Sequence, residues 1–294
     1  MGTKVFLSTR GVTVDPHEAN ISVFDRGFLY ADAVFETIRT VAGRPVELAR
    51  HLTRLGKACQ ALGIVCGRDE EQLAEVIHAT HVATGNSDSR IRVVVTRGVG
   101  PMGLDPAGAA EPLLVVIAQP LELPTLAAYD RGASAVLVDV ARAASPEAET
   151  SIKSSSYLTN ILALRRAHAE GADEAIMCNT LGDVSEATTS NVFIVRDETV
   201  FTPPLEAGIL PGITRDIVIE LCERNGLTCR QQRISSVDIR HADEVFLTSS
   251  VRGIMPVTAI DGRELSNGTM GALTRRLFSA WHSYLQEIAH GEPR

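Results

Sequence analysis

The sequence predicts a mixed α/β protein built from two domains. Three observations lead there. Strand-like and helix-like patterns alternate through residues 1–120, a stretch broken by Pro120 and Pro124 interrupts them, and the second half restarts with a strand followed by a helix. The 294 residues, 45% of them hydrophobic, can fill one large or two medium cores. The expected division is a smaller N-terminal α/β domain over 1–120, a linker over 121–131, and a larger C-terminal domain over 132–294 that carries Lys153.

Each element has its own signal. Residues 34–41 read as a strand, and Ala42-Gly43-Arg44-Pro45 as a turn. Leu48, Leu52, Leu55, Cys59 and Leu62 then recur at the spacing of one helix face, and a second helix is expected over 70–83. Two β-rich runs follow at 91–96 and 113–118. The Gly- and Pro-rich stretch between them, 98–106, reads as a mobile loop over a site. Past the linker come a strand at 133–140, a helix over 157–170 and short strands across 174–201. A helix opening near Thr214, strands at 229–233 and 244–248, and an amphipathic helix over 270–288 complete the chain.

Composition excludes several classes. A net charge of −8 with 4% aromatic residues argues against a nucleic-acid binder that works by neutralising phosphates. No apolar run approaches the roughly eighteen residues of a membrane span, and residues 1–10 lack the basic-then-apolar pattern of a secretion signal. A soluble cytoplasmic protein is expected. Its five cysteines are odd in number, scattered and without a CxxC pair, so neither a disulfide framework nor a zinc ribbon is indicated, and no metal ligands are assigned.

Basic residues are more informative. Of 28, only three are lysines: Lys4, Lys57 and Lys153. A biased genome accounts for most of that skew, yet only lysine can lose its proton and act as an amine nucleophile. Lys153 sits in Ser151-Ile152-Lys153-Ser154-Ser155-Ser156-Tyr157, ahead of an expected helix. A helix dipole and desolvation there would both disfavour the protonated amine and promote Schiff-base chemistry. Taken by itself, the segment reads rather as a surface lysine in a serine loop.

Other segments converge on it. Glu186 stands among small hydroxyl residues in Val184-Ser185-Glu186-Ala187-Thr188-Thr189-Ser190, where it could hold a proton on a pyridine nitrogen or serve as a charged turn residue. Leu210-Pro211-Gly212-Ile213-Thr214 opens a helix behind a glycine, a natural anion site or an ordinary cap. Thr248, Ser249 and Ser250 end a strand with three hydroxyls. Together these features match the needs of a phosphorylated pyridine aldehyde.

The chain resembles the class IV aminotransferases, the fold-type IV pyridoxal-phosphate (PLP) enzymes that include branched-chain aminotransferases, D-amino-acid aminotransferases and aminodeoxychorismate lyases. The resemblance runs over residues 21–262. It rests on Phe24-Asp25-Arg26-Gly27-Phe28-Leu29-Tyr30-Ala31-Asp32 with Val34-Phe35-Glu36, His51 with Arg54-Leu55, Lys153 with Tyr157-Leu158, Ser185-Glu186 with Asn191-Val192-Phe193, Pro211-Gly212-Ile213-Thr214-Arg215, and Glu244-Val245-Phe246-Leu247. The set, in this order and spacing, is specific.

What the resemblance implies can be written position by position. Lys153 corresponds to the Schiff-base lysine, which also moves the substrate proton. Glu186 corresponds to the partner of the pyridine nitrogen and Tyr157 to that of the ring hydroxyl. Arg54, the Ile213 and Thr214 amides, Ser249 and Ser250 correspond to a phosphate cup, while His51 supports the helix of Arg54. Tyr30, Phe35, Arg92 and Val251 fall on substrate-lining positions of the branched-chain type. Arg90 departs from that type, which has a tyrosine there, and Arg26 leans toward the D-amino-acid and lyase branches. Either arginine would suit a carboxylate. Ala31 and Ala33 replace usual glycines. The resemblance further implies a homodimer with its active site at the interface and the 98–106 loop reaching across it.

The function implied is transfer of an amino group between an amino acid, with branched or apolar L-amino acids favoured, and a 2-oxo acid. A D-amino-acid aminotransferase and a lyase releasing pyruvate from aminodeoxychorismate are the alternatives.

Overall fold

A computed structural model describes residues 2–109, 111–140 and 152–291. The chain forms two compact units. The first comprises Met1–Glu122, Ile152–Ser156 and Leu285–Arg294, and the second Leu123–Ser151 and Tyr157–Tyr284.

The first unit is built on a six-stranded antiparallel sheet. Its strands are β1 (Lys4–Leu7), β2 (Val12–Val14), β3 (Ala33–Val41), β4 (Arg44–Pro45), β5 (Ser89–Thr96) and β6 (Leu113–Pro120), in the order β2-β1-β6-β5-β3-β4. A short helix, α1 (Arg26–Tyr30), precedes β3, and α2 (Leu48–Leu62) and α3 (Glu70–Thr84) lie between β4 and β5. The expected leucine stripe on α2 is real. Leu52, Leu55 and Cys59 pack with Leu73 and Ile77 of α3 against Val34, Ile38, Ile91, Val93 and Val95. Helix α2 ends at Gly63, whose φ of 62° suits a left-handed C-cap, and α3 opens with a capping box between Asp69 and Gln72.

Strand register sorts the side chains onto two faces. Glu36 faces Val93 and Ile38 faces Ile91 on the helix side, whereas Phe35 pairs with Val94, Thr37 with Arg92 and Arg39 with Arg90 on the other. This alternation places an acid, Glu36, on the apolar side of its own strand.

Lys153 belongs to this first unit, which corrects its expected place in the C-terminal domain. Residues 152–156 lie along the free edge of β3. The Phe35 N–H donates to the Lys153 carbonyl at 2.9 Å, the Ser155 N–H donates to the Ala33 carbonyl at 2.9 Å, and Val34 bridges to Ser154. An unpaired strand edge recruits extended chain. The helix after Lys153 starts at Leu158 and belongs to the second unit.

The second unit carries a nine-stranded mixed sheet: β7 (Ala133–Asp139), β8 (Glu174–Cys178), β9 (Val184–Ala187), β10 (Asn191–Arg196), β11 (Thr199–Thr202), β12 (Cys229–Gln231), β13 (Glu244–Ser249), β14 (Gly253–Ile260) and β15 (Arg263–Glu264). Around it are α4 (Leu126–Arg131), α5 (Leu158–Ala169), α6 (Ile213–Arg224), α7 (Ser236–Arg240) and α8 (Ala272–His290), which groups with the first unit from Leu285 onward. Ile176, Val192, Ile194, Val245, Leu247 and Val257 form its principal core, and Phe193 stacks on Phe246 across β10 and β13 at 4.9 Å.

Segments that differ from expectation include α4 and β14. The stretch expected as a linker contains α4, started by Thr125, whose side chain accepts from the Ala128 N–H, and stopped by Gly132 at φ 69°. Strand β14 went unpredicted because Pro256 lies in it. Pro256 is opposite Phe246, and the ladder to β7 begins only at Val257, so the missing N–H removes no bond on that side. Among the described residues no helix is long and apolar enough to cross a membrane.

Candidate active site

In the first unit the site begins at the edge of β3. The Lys153 ammonium nitrogen lies 4.8 Å from the Phe35 ring centroid, and the Arg92 guanidinium covers that ring at 3.8 Å. On the helix side, Glu36 is wholly buried at 0% exposure. Its Oε1 accepts from Arg54 Nε at 2.7 Å, its Oε2 accepts from Arg54 Nη2 at 2.8 Å, and the same Oε2 is 2.7 Å from His51 Nδ1.

Electrostatics follow from this packing. Burial raises the Glu36 carboxyl, but the hydrogen bonds and charges of Arg54 and His51 outweigh it and hold the pKa at about 2. Burial lowers the His51 pKa beyond what Glu36 restores, with Arg54 and Lys153 adding to the drop. His51 is therefore neutral at pH 7, and its Nδ1–H donates to Glu36. His51 thus does more than support the Arg54 helix. It helps hold the acid that orients Arg54.

Arg26 has a different place from the one expected. It is 3% exposed, and Nε donates to Asp32 at 3.0 Å. Nη1 donates to the carbonyls of Gly103 and Asp105, and Nη2 to that of Leu104. Asp32 also accepts from Arg97, whose Nη1 and Nη2 hold the Gly63 and Leu62 carbonyls at the end of α2. These bonds make Arg26 the organiser of the 98–106 loop. Tyr30 joins the same cluster, its hydroxyl accepting from the Gly103 N–H at 2.8 Å and its ring under Arg26 at 4.9 Å. Arg90 is exposed but shares the sheet face of Arg92 and Phe35. Lys57 is exposed, and Lys4 pairs with Asp15.

In the second unit Asn191 draws the parts together. Glu186 Oε2 accepts from the Leu210 N–H at 2.8 Å, and Asn191 Nδ2 donates to the Leu210 carbonyl at 2.9 Å. This fixes the approach to α6, whose N-cap is Gly212 and whose first amides, Ile213 and Thr214, have no side-chain cap. Asn191 pairs in register with Thr248, next to Ser249, Ser250 and Val251. Thr248 is 2% exposed, and its Oγ1 is buried without a hydrogen-bond partner. Tyr157 precedes α5, whose first turn is tied by Asn160 Nδ2 to the Thr188 carbonyl at 2.7 Å, two residues beyond Glu186. The loop after β13 is anchored through Arg252, which reaches Glu174 and Ser190, while its carbonyl accepts from the Tyr129 hydroxyl.

Thus Arg54, Lys153, Phe35 and Arg92 lie in one unit, and Glu186, Ile213, Thr214, Ser249 and Ser250 in the other. Glu36 and Asn191 were missed as functional residues. Both stood in the motifs, but their sequence neighbours do not reveal the partners they hold. Each unit by itself holds group types that suit part of a phosphate-bearing pyridine ring: a guanidinium and an amine in the first, and uncapped helix amides behind Gly212 and a carboxylate in the second.

Comparison with known proteins agrees with this chemistry. The family described as "Amino-transferase class IV" matches residues 33–260. A Methanocaldococcus jannaschii protein named "Putative branched-chain-amino-acid aminotransferase" is 38% identical over 274 residues, covering 93% of each chain. A Bacillus licheniformis D-alanine aminotransferase is 31% identical over 280 residues, covering 95% of this chain and 97% of its own. The branched-chain aminotransferase of the thermophilic archaeon Thermoproteus uzoniensis, solved with norvaline, superposes with a TM-score of 0.87 at 31% identity, covering 100% of this chain and 97% of that one. The chain belongs to the class IV aminotransferase family.

Proposed function

We propose that this protein uses PLP to move an amino group from a branched or apolar L-amino acid to a 2-oxo acid. The carrying observation is Lys153, an amine held by main-chain bonds at the edge of β3 and placed over Phe35, in the same unit as a fixed Arg54. When bound, PLP supplies an aldehyde carbon that carries the amino group and a ring that withdraws electrons from the substrate Cα.

The chain's own residues do the rest. Lys153 Nζ holds the cofactor between turnovers, takes the proton from the substrate Cα and delivers it to the carrier carbon. Glu186 keeps a proton on the ring nitrogen, and Tyr157 donates to the ring hydroxyl. Arg54, the Ile213 and Thr214 amides, Ser249 and Ser250 bind the phosphate. Phe35, Tyr30 and Val251 surround the substrate side chain, with Arg92 and Arg90 within the same sheet face. A second oxo acid reverses the sequence to release the new amino acid. We further propose a homodimer in the cytoplasm.

The preference for L-donors rests on Arg26. Its nitrogens are engaged by Asp32 and the loop carbonyls, which removes one of the two arginines proposed to clamp a D-amino acid. An absorbance scan of the PLP-loaded protein tests the reading, with L-leucine and D-alanine added separately and no oxo acid present. L-leucine should convert the bound aldehyde form to the aminated form, and D-alanine should not. Conversion by D-alanine alone would reverse the chirality. Silence with both donors would favour the lyase.

A further inference from the structure

We propose that Glu36 is a positioning residue for the cofactor phosphate, acting through Arg54 and steadied by His51. The proposal rests on the PLP reading above and adds two residues to it.

A carboxylate at 0% exposure, on the helix face of β3 among Val34, Ile38 and Val93, is costly unless fully compensated. Its compensation is one-sided. Three of its hydrogen bonds come from a single helix, α2, where His51 and Arg54 stand three residues apart on the face turned to the sheet. Glu36 therefore orients α2 side chains more than it joins sheet strands.

Arg54 has the long stem of any arginine, and its side chain retains 13% exposure. The two-pronged grip on Nε and Nη2 fixes both the position and the plane of the guanidinium. A guanidinium so held has its position and plane set before a phosphate oxygen reaches it. The pair is also nearly neutral in sum. Arg54 then offers directed donors without adding an unbalanced positive charge beside Lys153, whose ammonium already acts on His51. Removing the carboxylate would leave the cationic group both loose and uncompensated.

A purely structural ion pair would make the same contacts, so the test must read the phosphate itself. Apoprotein is titrated with PLP and, separately, with pyridoxal, which lacks the phosphate, and the absorbance of the lysine-bound form gives each affinity. Glu36→Gln should weaken PLP by about tenfold or more, the scale of a lost charge-assisted contact, and change pyridoxal less than about twofold. In an Arg54→Ala background, Glu36→Gln should add no further loss for PLP. His51→Gln, which leaves the Glu36–Arg54 pair in place, should show a smaller loss confined to PLP and serves if Glu36→Gln does not fold. Equal losses for both ligands, or none, overturn the proposal. If wild-type protein forms no lysine-bound absorbance with PLP, the cofactor reading falls and takes this proposal with it.

Discussion

Gly212 and Asn191 stand so close that a Cβ on the glycine would lie 1.9 Å from Asn191 Oδ1. The φ of Gly212, −79°, suits any residue, so the glycine is required by contact rather than by backbone strain. Gly212→Ala should push Asn191 off the Leu210 carbonyl, at a cost of about 1–3 kcal/mol for the buried group left unpaired. It should also weaken PLP binding. The same change in an Asn191→Ala background should cost clearly less, because the clash partner is gone. Equal costs in the two backgrounds would show that the contact is not the cause.

Stability should fall on acidification, and Glu36 and His51 give the direction. Both have pKa values lower folded than unfolded, Glu36 at about 2 against 4.5. Between the two values the unfolded chain binds more protons, so stability is lost as pH falls. The His51 share is lost first, below about 6.5, and the Glu36 share progressively from 4.5 toward 2. The latter amounts to about 3 kcal/mol over the whole shift. Urea unfolding at pH 7, 5 and 4 should show the decline, and Glu36→Gln should flatten its lower part. An unchanged slope in that variant would contradict the assignment.

The loop over 98–106 should depend on Arg26. Arg26→Lys keeps the charge but cannot reach three carbonyls and Asp32 at once. Amide exchange at Gly103 should accelerate by about tenfold, since loop opening would lose several hydrogen bonds. Asp32→Asn should loosen the loop and also the end of α2, which Arg97 holds at Leu62 and Gly63. An altered KM without faster exchange would return Arg26 to the substrate.

Lys153→Ala should leave the fold intact, because the bonds along β3 use its main chain. Amino transfer from L-leucine should fall by at least about 10²–10⁴-fold, the range for loss of a general base. Lys153→Arg should fare no better, since a guanidinium does not give up its proton at neutral pH. Circular dichroism checks the fold and a single-turnover assay the transfer. Substantial turnover in either variant would displace Lys153 from its role.

Much of this molecule was legible in the chain. The stripes of α2 and the run of β3 announce themselves because each repeats one face over many residues. Elements with mixed signals escaped. Pro256 hid β14, Pro120 and Pro124 hid α4, and β1 and β2 are short strands, β1 paired with β6 and β2 with β1. Among site residues, Lys153, Glu186 and the Gly212-Ile213-Thr214 turn could be singled out because rare chemistry stands in unusual local context. Glu36 could not be. A lone acid in a strand reads as surface until α2 is laid across it.

Residue type and order by themselves determined the family and singled out Lys153, Glu186 and the glycine before α6, because these depend on local chemistry at fixed spacing. Tertiary structure alone decided which unit Lys153 joins, that Arg26 serves a loop, and that Glu36 and His51 orient Arg54. Those outcomes depend on which strand edge is open and which faces meet, and they arise between residues far apart in the chain.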